Sequence, residues 1–140
     1  IQQRIAELKA GIADGGVREA AIRSLVYIGM AGTGVDERAF NVLRRIRAEN
    51  GGMTLAEFKQ TLREQYFCLL LDPEAALAAI PNMVSADPAA RAKALEAIKR
   101  TVSAAGEVTG ARAERLAQIE KLFSAADARK SASKNPLRVA

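Results

Sequence analysis

The chain has 140 residues, of which 49% are hydrophobic and 26% are charged. These proportions exclude a wholly disordered chain and are ordinary for one domain with a single core. The net charge is +5, but the last segment, 127–140, holds four basic residues against one acidic residue. The preceding residues therefore carry a net charge of only +2, which weighs against a strongly basic nucleic-acid-binding surface.

The composition favours helices packed on one another. Aromatic residues make up only 4% of the chain, and no alternating apolar run of strand length occurs, as a β-sandwich would require. No apolar stretch approaches the ~18 residues of a membrane span, and no signal peptide is visible. A single cysteine, Cys68, fits a reducing compartment, so we expect a cytoplasmic protein. Because the chain begins at Ile1 rather than a methionine, we expect a trimmed chain or a piece of a longer protein.

Helical periodicity is clear in the first third of the chain. Apolar residues three and four apart predict a helix from Ile1 to Ile12, ended by Asp14-Gly15-Gly16. A second helix is predicted from about Val17 to Ala31. After the break at residues 32–34, a third helix is predicted, with Thr33 and Asp36 as its cap, apolar positions facing inward between residues 35 and 46, and an end at residues 50–52.

The segment from Thr54 to Leu71 is predicted to be the central helix. Thr54 and Glu57 have capping-box spacing, and Asp72 ends the helix because it precedes a proline. From residue 66 to residue 71 every side chain is apolar or aromatic. A helix end that is apolar all round is expected to be covered on all sides.

Three further helices are predicted in the second half. A short helix follows the central one, the next begins with a cap at Asp87 and stops at Gly106, and the last opens at Thr109. We therefore predict an all-α compact bundle of about seven helices over residues 1–126. Residues 127–140 are polar, basic and aperiodic, and are predicted to be a flexible tail.

The sequence contains an internal repeat. A shift of 73 residues pairs two helix–loop–helix units, with six identical pairs. These pairs are Arg18/Arg91, Ala21/Ala94, Ala31/Ala104, Val35/Val108, Leu43/Leu116 and Ile46/Ile119. Two similar hairpins around a central helix would explain the match, although any two Ala- and Leu-rich amphipathic hairpins match in part by period alone.

Residues able to carry catalysis are scarce. The absence of histidine removes the commonest general base and metal ligand. Cys68 lies within the most apolar run and is interpreted as a buried core thiol. We therefore predict no enzyme activity, no catalytic residue and no cofactor.

Carboxylates beside the two repeated loops are the candidate metal ligands. Asp36 and Glu37 follow the first loop, and Glu107 lies in the second. A calcium site requires several oxygen ligands that converge from one loop. The alternative is that these are ordinary carboxylates near helix starts, stabilised by the helix dipole.

A basic cluster and surplus apolar residues suggest two kinds of partner. Arg44, Arg45 and Arg47, together with the tail, could contact nucleic acid weakly. No aromatic residues interleave with them, however, so the sequence favours a solvated helix face over a nucleic-acid contact. Several apolar residues exceed what one small core face requires and could form an exposed patch for a protein partner, or fill the core. They are Val26, Val42, Leu70 and Met83.

The repeated segments GTGVDERAFNVLRRI and AGEVTGARAERLAQI resemble TerB-like domains, which are all-helical and occur in tellurite-resistance proteins and as modules attached to other bacterial domains. The resemblance implies a non-enzymatic interaction module. TerB loops carry clustered acidic residues that bind metal. At the matching loop positions of this chain only Glu107 is acidic, which departs from that pattern.

A second resemblance covers nearly the whole chain. The segments LREQYFCLLLDPEAALAAIPNMV and RLAQIEKLF resemble the C-terminal region of large bacterial proteins similar to polyhydroxyalkanoate synthases. In those proteins an α/β-hydrolase-type domain precedes a helical end. The resemblance implies that this chain is an accessory module whose partner is the preceding domain.

Overall fold

The computed structural model describes residues 1–31, 48 and 52–134, with side chains as far as Asp127. Every regular element in these residues is helical and none is a strand, which confirms the predicted all-α class. The inward-facing positions of the predicted third helix, residues 35–46, lie outside the described residues.

Seven α-helices occur in the described part of the chain. They are α1 (Gln2–Ala10), α2 (Val17–Gly29), α3 (Leu55–Leu71), α4 (Pro73–Ala78), α5 (Ile80–Met83), α6 (Pro88–Ala104) and α7 (Gly110–Lys134). A 3₁₀ turn, Gly11–Ala13, continues α1. The ends of α2, α3 and α6 fall within two residues of the positions that the sequence predicts.

Helix starts follow local chemistry. The side chains of Thr54, Asp72 and Asp87 each accept a hydrogen bond from the backbone N–H of the residue three positions later. The donor–acceptor distances are 3.0–3.1 Å. These bonds satisfy N–H groups that have no partner within the first turn of a helix. Prolines in the first turns of α4 and α6 suit those positions, where no N–H is needed.

The innermost helix is α2, which contacts α3, α5, α6 and α7. The largest cluster of buried apolar side chains lies between α2, α5, α6 and α7. Its members buried to 0–1% exposure are Ala20, Ile28, Ile80, Val84, Ile98, Ile119, Phe123 and Ala126. Among the described residues the centre of the bundle is therefore α2, and not α3, which the sequence predicts to be the central helix.

Only one face of α3 is buried, so the prediction that its C-terminal end is covered on all sides is wrong. Cys68 and Leu69 are 4% and 3% exposed. In contrast, Tyr66, Phe67 and Leu70 are 42%, 45% and 51% exposed. The reason is that α3 lies at an edge of the bundle, with α2 and α1 against adjoining sides and no described helix over the outside.

The predicted repeat is only partly visible. Its first helices correspond to α2 and α6, and its second hairpin is α6 and α7, joined through Gly106 with a φ of +140°. The paired arginines occupy different environments, since Arg18 is exposed and Arg91 is buried. The second helix of the first hairpin lies outside the described residues.

The last helix is longer than the sequence pattern predicts. The predicted tail begins at residue 127, whereas α7 continues to Lys134. Residues 127–134 contain no glycine or proline, and Ala, Arg and Lys favour helix. Arg91 also forms an ion pair with Asp127, which fixes the start of this extension to α6. Residues 135–140 lie outside the described residues.

Candidate interaction surface

An open groove runs between α1 and α3. Its volume is about 640 Å³. The residues that line it are Arg4, Ile5, Leu8, Gln60, Arg63, Glu64, Phe67 and Leu71. The four apolar members come from both helices, so the groove has apolar side chains on both walls.

The position of α1 leaves its apolar residues accessible. Ile5 is 37% exposed and Leu8 is half-buried, whereas Ile12 in the 3₁₀ turn is buried against Cys68 and Leu69. The sequence predicts one inward face from Ile1 to Ile12, and only the C-terminal end of that face is buried. Apolar surface is therefore left on the rest of α1 beside α3.

A glycine turn between α1 and α2 sets the angle between the two helices. Gly15 has a φ of +110°, a conformation that residues with a Cβ rarely adopt. A Cβ at this position would lie 2.9 Å from the Cβ of Glu19. The carboxylate of Glu19 also accepts the N–H of Gly16 at 3.1 Å. The turn and the start of α2 are therefore fixed together.

The exposed side of α3 carries what we call the outer strip. At about 100° of rotation per residue, five exposed residues lie along one side of the helix. They are Lys59, Arg63, Tyr66, Phe67 and Leu70. The Tyr66 and Phe67 rings pack edge to face with centroids 6.0 Å apart. The strip is cationic in its N-terminal half and apolar in its C-terminal half.

The groove and the outer strip have an excess of positive charge. Among the described residues, Arg4, Lys59 and Arg63 form no ion pair. Glu64 is the carboxylate on the groove wall, and it accepts a hydrogen bond from the Gln60 amide at 3.2 Å. Three cations are therefore available to an acidic partner.

The buried face of α3, opposite the outer strip, contacts a buried arginine of α2. Arg23 is fully buried, and its Nε donates to Gln65 Oε1 at 2.7 Å while Nη1 donates to the Ala76 carbonyl at 2.9 Å. Its Nη2 is buried without a hydrogen-bond partner of ordinary geometry. Burial lowers the pKa of Arg23, and the neighbouring Cys68 thiol opposes that change. Arg23 thus joins α2, α3 and α4 through hydrogen bonds.

The cysteine has the properties of a core thiol. Burial raises the pKa of Cys68, the Arg23 guanidinium acts in the opposite direction, and Glu64 raises that pKa further. A raised pKa keeps the sulfur protonated at neutral pH, and a protonated thiol is a poor nucleophile. Although Cys68 lines a second cavity of about 350 Å³, its sulfur is not activated for chemistry.

The described residues do not test the predicted metal ligands as a set. Asp36 and Glu37 lie outside the described residues. Glu107 is exposed, and its backbone carbonyl accepts a hydrogen bond from Arg112 Nη1 at 2.7 Å. No group of three or more His, Cys, Asp or Glu side chains that could hold a metal ion occurs among the described residues.

The other predicted contact residues have mixed outcomes. Arg44, Arg45 and Arg47 lie outside the described residues, as does Val42. Of the other apolar residues predicted to be surplus, Leu70 is exposed, Val26 is half-buried and Met83 is buried.

Sequence reasoning missed Ile5 and Phe67 as accessible residues, because both belong to patterns that predict burial. The available signal was the apolar run at residues 66–71, which gives α3 more apolar surface than the described neighbouring helices cover. None of the helices in the described residues combines the length and hydropathy that crossing a membrane requires.

Comparison with known proteins gives a match to part of a much longer chain. Over 126 residues the chain is 46% identical to an uncharacterized protein in the ackA 5' region of Rhizobium meliloti. The match covers 88% of this chain and 17% of that protein. No protein-family model matches the chain, and no solved structure matches it. The resemblances to TerB-like domains and to polyhydroxyalkanoate-synthase-like proteins stay predictions.

Proposed function

We propose that this chain is a non-catalytic helical interaction module, which works as an accessory part of a longer bacterial polypeptide. The observation that carries the proposal is the outer strip of α3, where Tyr66, Phe67 and Leu70 are each more than 40% exposed. Three adjacent large apolar side chains on one helix end form a patch of the kind that marks an interaction site.

The match in Rhizobium meliloti supports an accessory role. A segment similar to nearly all of this chain accounts for only 17% of that protein, so most of that polypeptide lies outside the similar segment. Surfaces between domains of one chain resemble transient protein interfaces, with apolar residues inside a polar rim. The groove and the outer strip have that composition.

The chemistry of the described residues also fits a binding role. The sequence contains no histidine, and the single thiol is buried with a raised pKa. Hydrophobic contact does not require a reactive group, since covering apolar surface contributes about 25 cal/mol per Å². The apolar half of the outer strip is therefore surface whose burial would favour binding.

We place the partner in the same polypeptide. The resemblance to polyhydroxyalkanoate-synthase-like proteins suggests an α/β-hydrolase-type domain as that partner, in a reducing cytoplasm. In this arrangement the partner domain performs any catalysis, and the helical module contacts it through the surface formed by α1 and α3.

Hydroxyl-radical footprinting of the Rhizobium meliloti relative tests the proposal. The whole relative is compared with its isolated segment that aligns with this chain, after circular dichroism confirms that the segment is helical. We expect slower labelling in the whole protein at positions aligned with the outer strip. Positions aligned with Phe58 and Leu69, which are buried here, should label slowly in both samples.

Two results would contradict the proposal. One is equal labelling of the aligned outer strip in the whole relative and in the segment, since a module in contact with its own polypeptide must lose exposure there. The other is hydrolase or transferase turnover by this purified chain alone, which a non-catalytic module cannot show.

A further inference from the structure

The chemistry of the groove identifies the kind of partner that fits it. We infer that the groove between α1 and α3 docks an acidic amphipathic helix from a protein partner. This inference rests on the proposed function and adds to it the shape and the charge of the docking segment.

A helix is the occupant that the backbone of this surface allows. The groove lies between two α-helices, whose own hydrogen bonds occupy their backbone groups. It therefore offers no strand edge with which an extended peptide could pair. A docking segment must satisfy its own N–H and C=O groups, and a helix does so internally. Side-chain ridges of a third helix can then pack into the space between the first two.

The apolar residues of the groove set the spacing of the partner's contacts. Ile5 and Leu8 project from α1, and Phe67 and Leu71 project from α3. The nine residues of α1 span about 14 Å, which corresponds to between two and three helical turns. A partner helix with apolar residues at positions i, i+3 or i+4, and i+7 presents a stripe of matching length.

The charge of the surface selects an acidic partner. Arg4 and Arg63 line the groove, and Lys59 lies one turn before Arg63 on the outer strip. Of these three cations none is ion-paired among the described residues, while Glu64 already accepts a hydrogen bond from Gln60. Carboxylates beside the partner's apolar stripe would therefore meet cations.

A second copy of this chain fits the surface less well. In a two-fold symmetric dimer the same patch occupies both sides of the interface. Arg4, Lys59 and Arg63 would then face an equally cationic surface, and like charges across an interface disfavour association. The charge pattern thus favours a different, acidic segment.

Selection of helical peptides tests this inference directly. A display library of helical peptides of about 15 residues, roughly four turns, is panned against the full chain. We expect the enriched peptides to combine apolar residues three or four apart with a net negative charge. Phe67→Ala should weaken the best of them by about tenfold or more, because truncating an aromatic side chain that anchors an interface has effects of at least this size.

Two matched variants serve as controls. Leu55 is on the same helix and is 46% exposed, against 45% for Phe67, but it lies about 18 Å away along the axis. Leu55→Ala should leave peptide affinity unchanged. Arg63→Glu should weaken acidic peptides by about tenfold, whereas Lys93→Glu, at an exposed position on α6, should have little effect.

The outcomes separate this inference from the proposed function. Peptides that bind the Phe67→Ala and wild-type chains equally would overturn the groove as the docking site and leave an interaction role intact. Enriched peptides that are basic or uncharged would overturn the acidic character. If nothing is enriched on the wild-type chain beyond the Phe67→Ala chain, the inference also fails.

Two further assays identify competing occupants. Sedimentation with phosphatidylcholine and phosphatidylglycerol vesicles would overturn the inference if vesicles bind through Phe67 while peptides do not. Light scattering after size exclusion would overturn it if the wild-type chain self-associates and the Phe67→Ala chain does not. A chain that neither binds vesicles nor self-associates, and that binds acidic helices, supports it.

Discussion

The inner and outer faces of α3 share one backbone and a similar number of apolar side chains, but they differ in what covers them. The inner face consists of Phe58, Gln65, Cys68 and Leu69, all buried, and it includes a polar contact to Arg23. The outer strip exposes Tyr66, Phe67 and Leu70 beside two cations. The difference shows that apolar residues of one helix can be buried on one side and exposed on the other, and the proposed function assigns recognition to the exposed side.

The largest expected difference between the two faces concerns aromatic truncation. Phe58 is 4% exposed and packs with Ile22 in the core. Phe58→Ala should lower the free energy of unfolding by about 3–5 kcal/mol, because it removes a buried ring and leaves a cavity. Chemical denaturation measures this change. A loss below about 1 kcal/mol, equal to that of an exposed residue, would remove the distinction between the faces.

The polar contact of the inner face should give the next largest effect. Gln65→Ala removes the acceptor of Arg23 Nε and leaves a second buried donor of this guanidinium unpaired. The expected loss of stability is about 1–3 kcal/mol. Gln60→Ala is the matched control, since Gln60 is exposed and, among the described residues, its side chain bonds to Glu64 alone. It should change the free energy of unfolding by less than about 0.5 kcal/mol.

The Cys68 thiol on the inner face should make the free energy of unfolding depend on pH. Burial raises the pKa of Cys68 above its ordinary value of 9.0, so the folded chain retains this proton to a higher pH than the unfolded chain does. The contribution to stability is therefore complete below about pH 9 and decreases as pH rises through the pKa of the folded state. Arg23 and Glu64 are the charged groups that act on the thiol.

Denaturation at a series of pH values checks this prediction. The difference in free energy of unfolding between the wild-type chain and Cys68→Ala should be constant from pH 6 to about pH 8 and should shrink at higher pH. The other ionisable groups are common to both proteins, so the comparison cancels their contribution. A difference that stays constant to pH 11 would contradict the raised pKa.

The smallest effect on stability is expected on the outer strip. Phe67→Ala should lower the free energy of unfolding by less than about 1 kcal/mol, because nearly half of the side chain is already in water and alanine favours helix. Its effect on peptide affinity should nonetheless be about tenfold. A large loss of stability would mean that Phe67 belongs to the core, and the two faces would no longer differ in role.

The helices themselves were largely predictable from the sequence. Thr54 and Asp87 start α3 and α6 through bonds to residues only three positions away, and such local chemistry can be recognised without a structure. Apolar periodicity located α2, and the proline after Asp72 located the end of α3, for the same reason. The continuation of α7 past Asp127 was missed because the apolar pattern ends before the helix does.

The candidate site depended on information that periodicity does not contain. The pattern at residues 66–71 shows how much apolar surface α3 carries, but not how many helices lie against it. Arg23 shows the reverse case, a residue that the pattern predicts to be exposed and that is buried. A charged residue within an amphipathic helix suggests solvent exposure, yet Arg23 is fully buried. Its acceptors, Gln65 and the Ala76 carbonyl, come from distant positions in the chain.

The way α1 is attached has a consequence for how the groove behaves. Within Gln2–Ala10 no residue is buried, and the element is held to the bundle chiefly where Ile12 enters the core. Segments with few buried contacts open locally at a small fraction of the global free energy of unfolding. One wall of the groove is therefore a weakly held unit, and amide hydrogens of α1 should exchange sooner than those of α2. Docking of a partner would slow that exchange, so affinity depends on how firmly α1 is ordered beforehand.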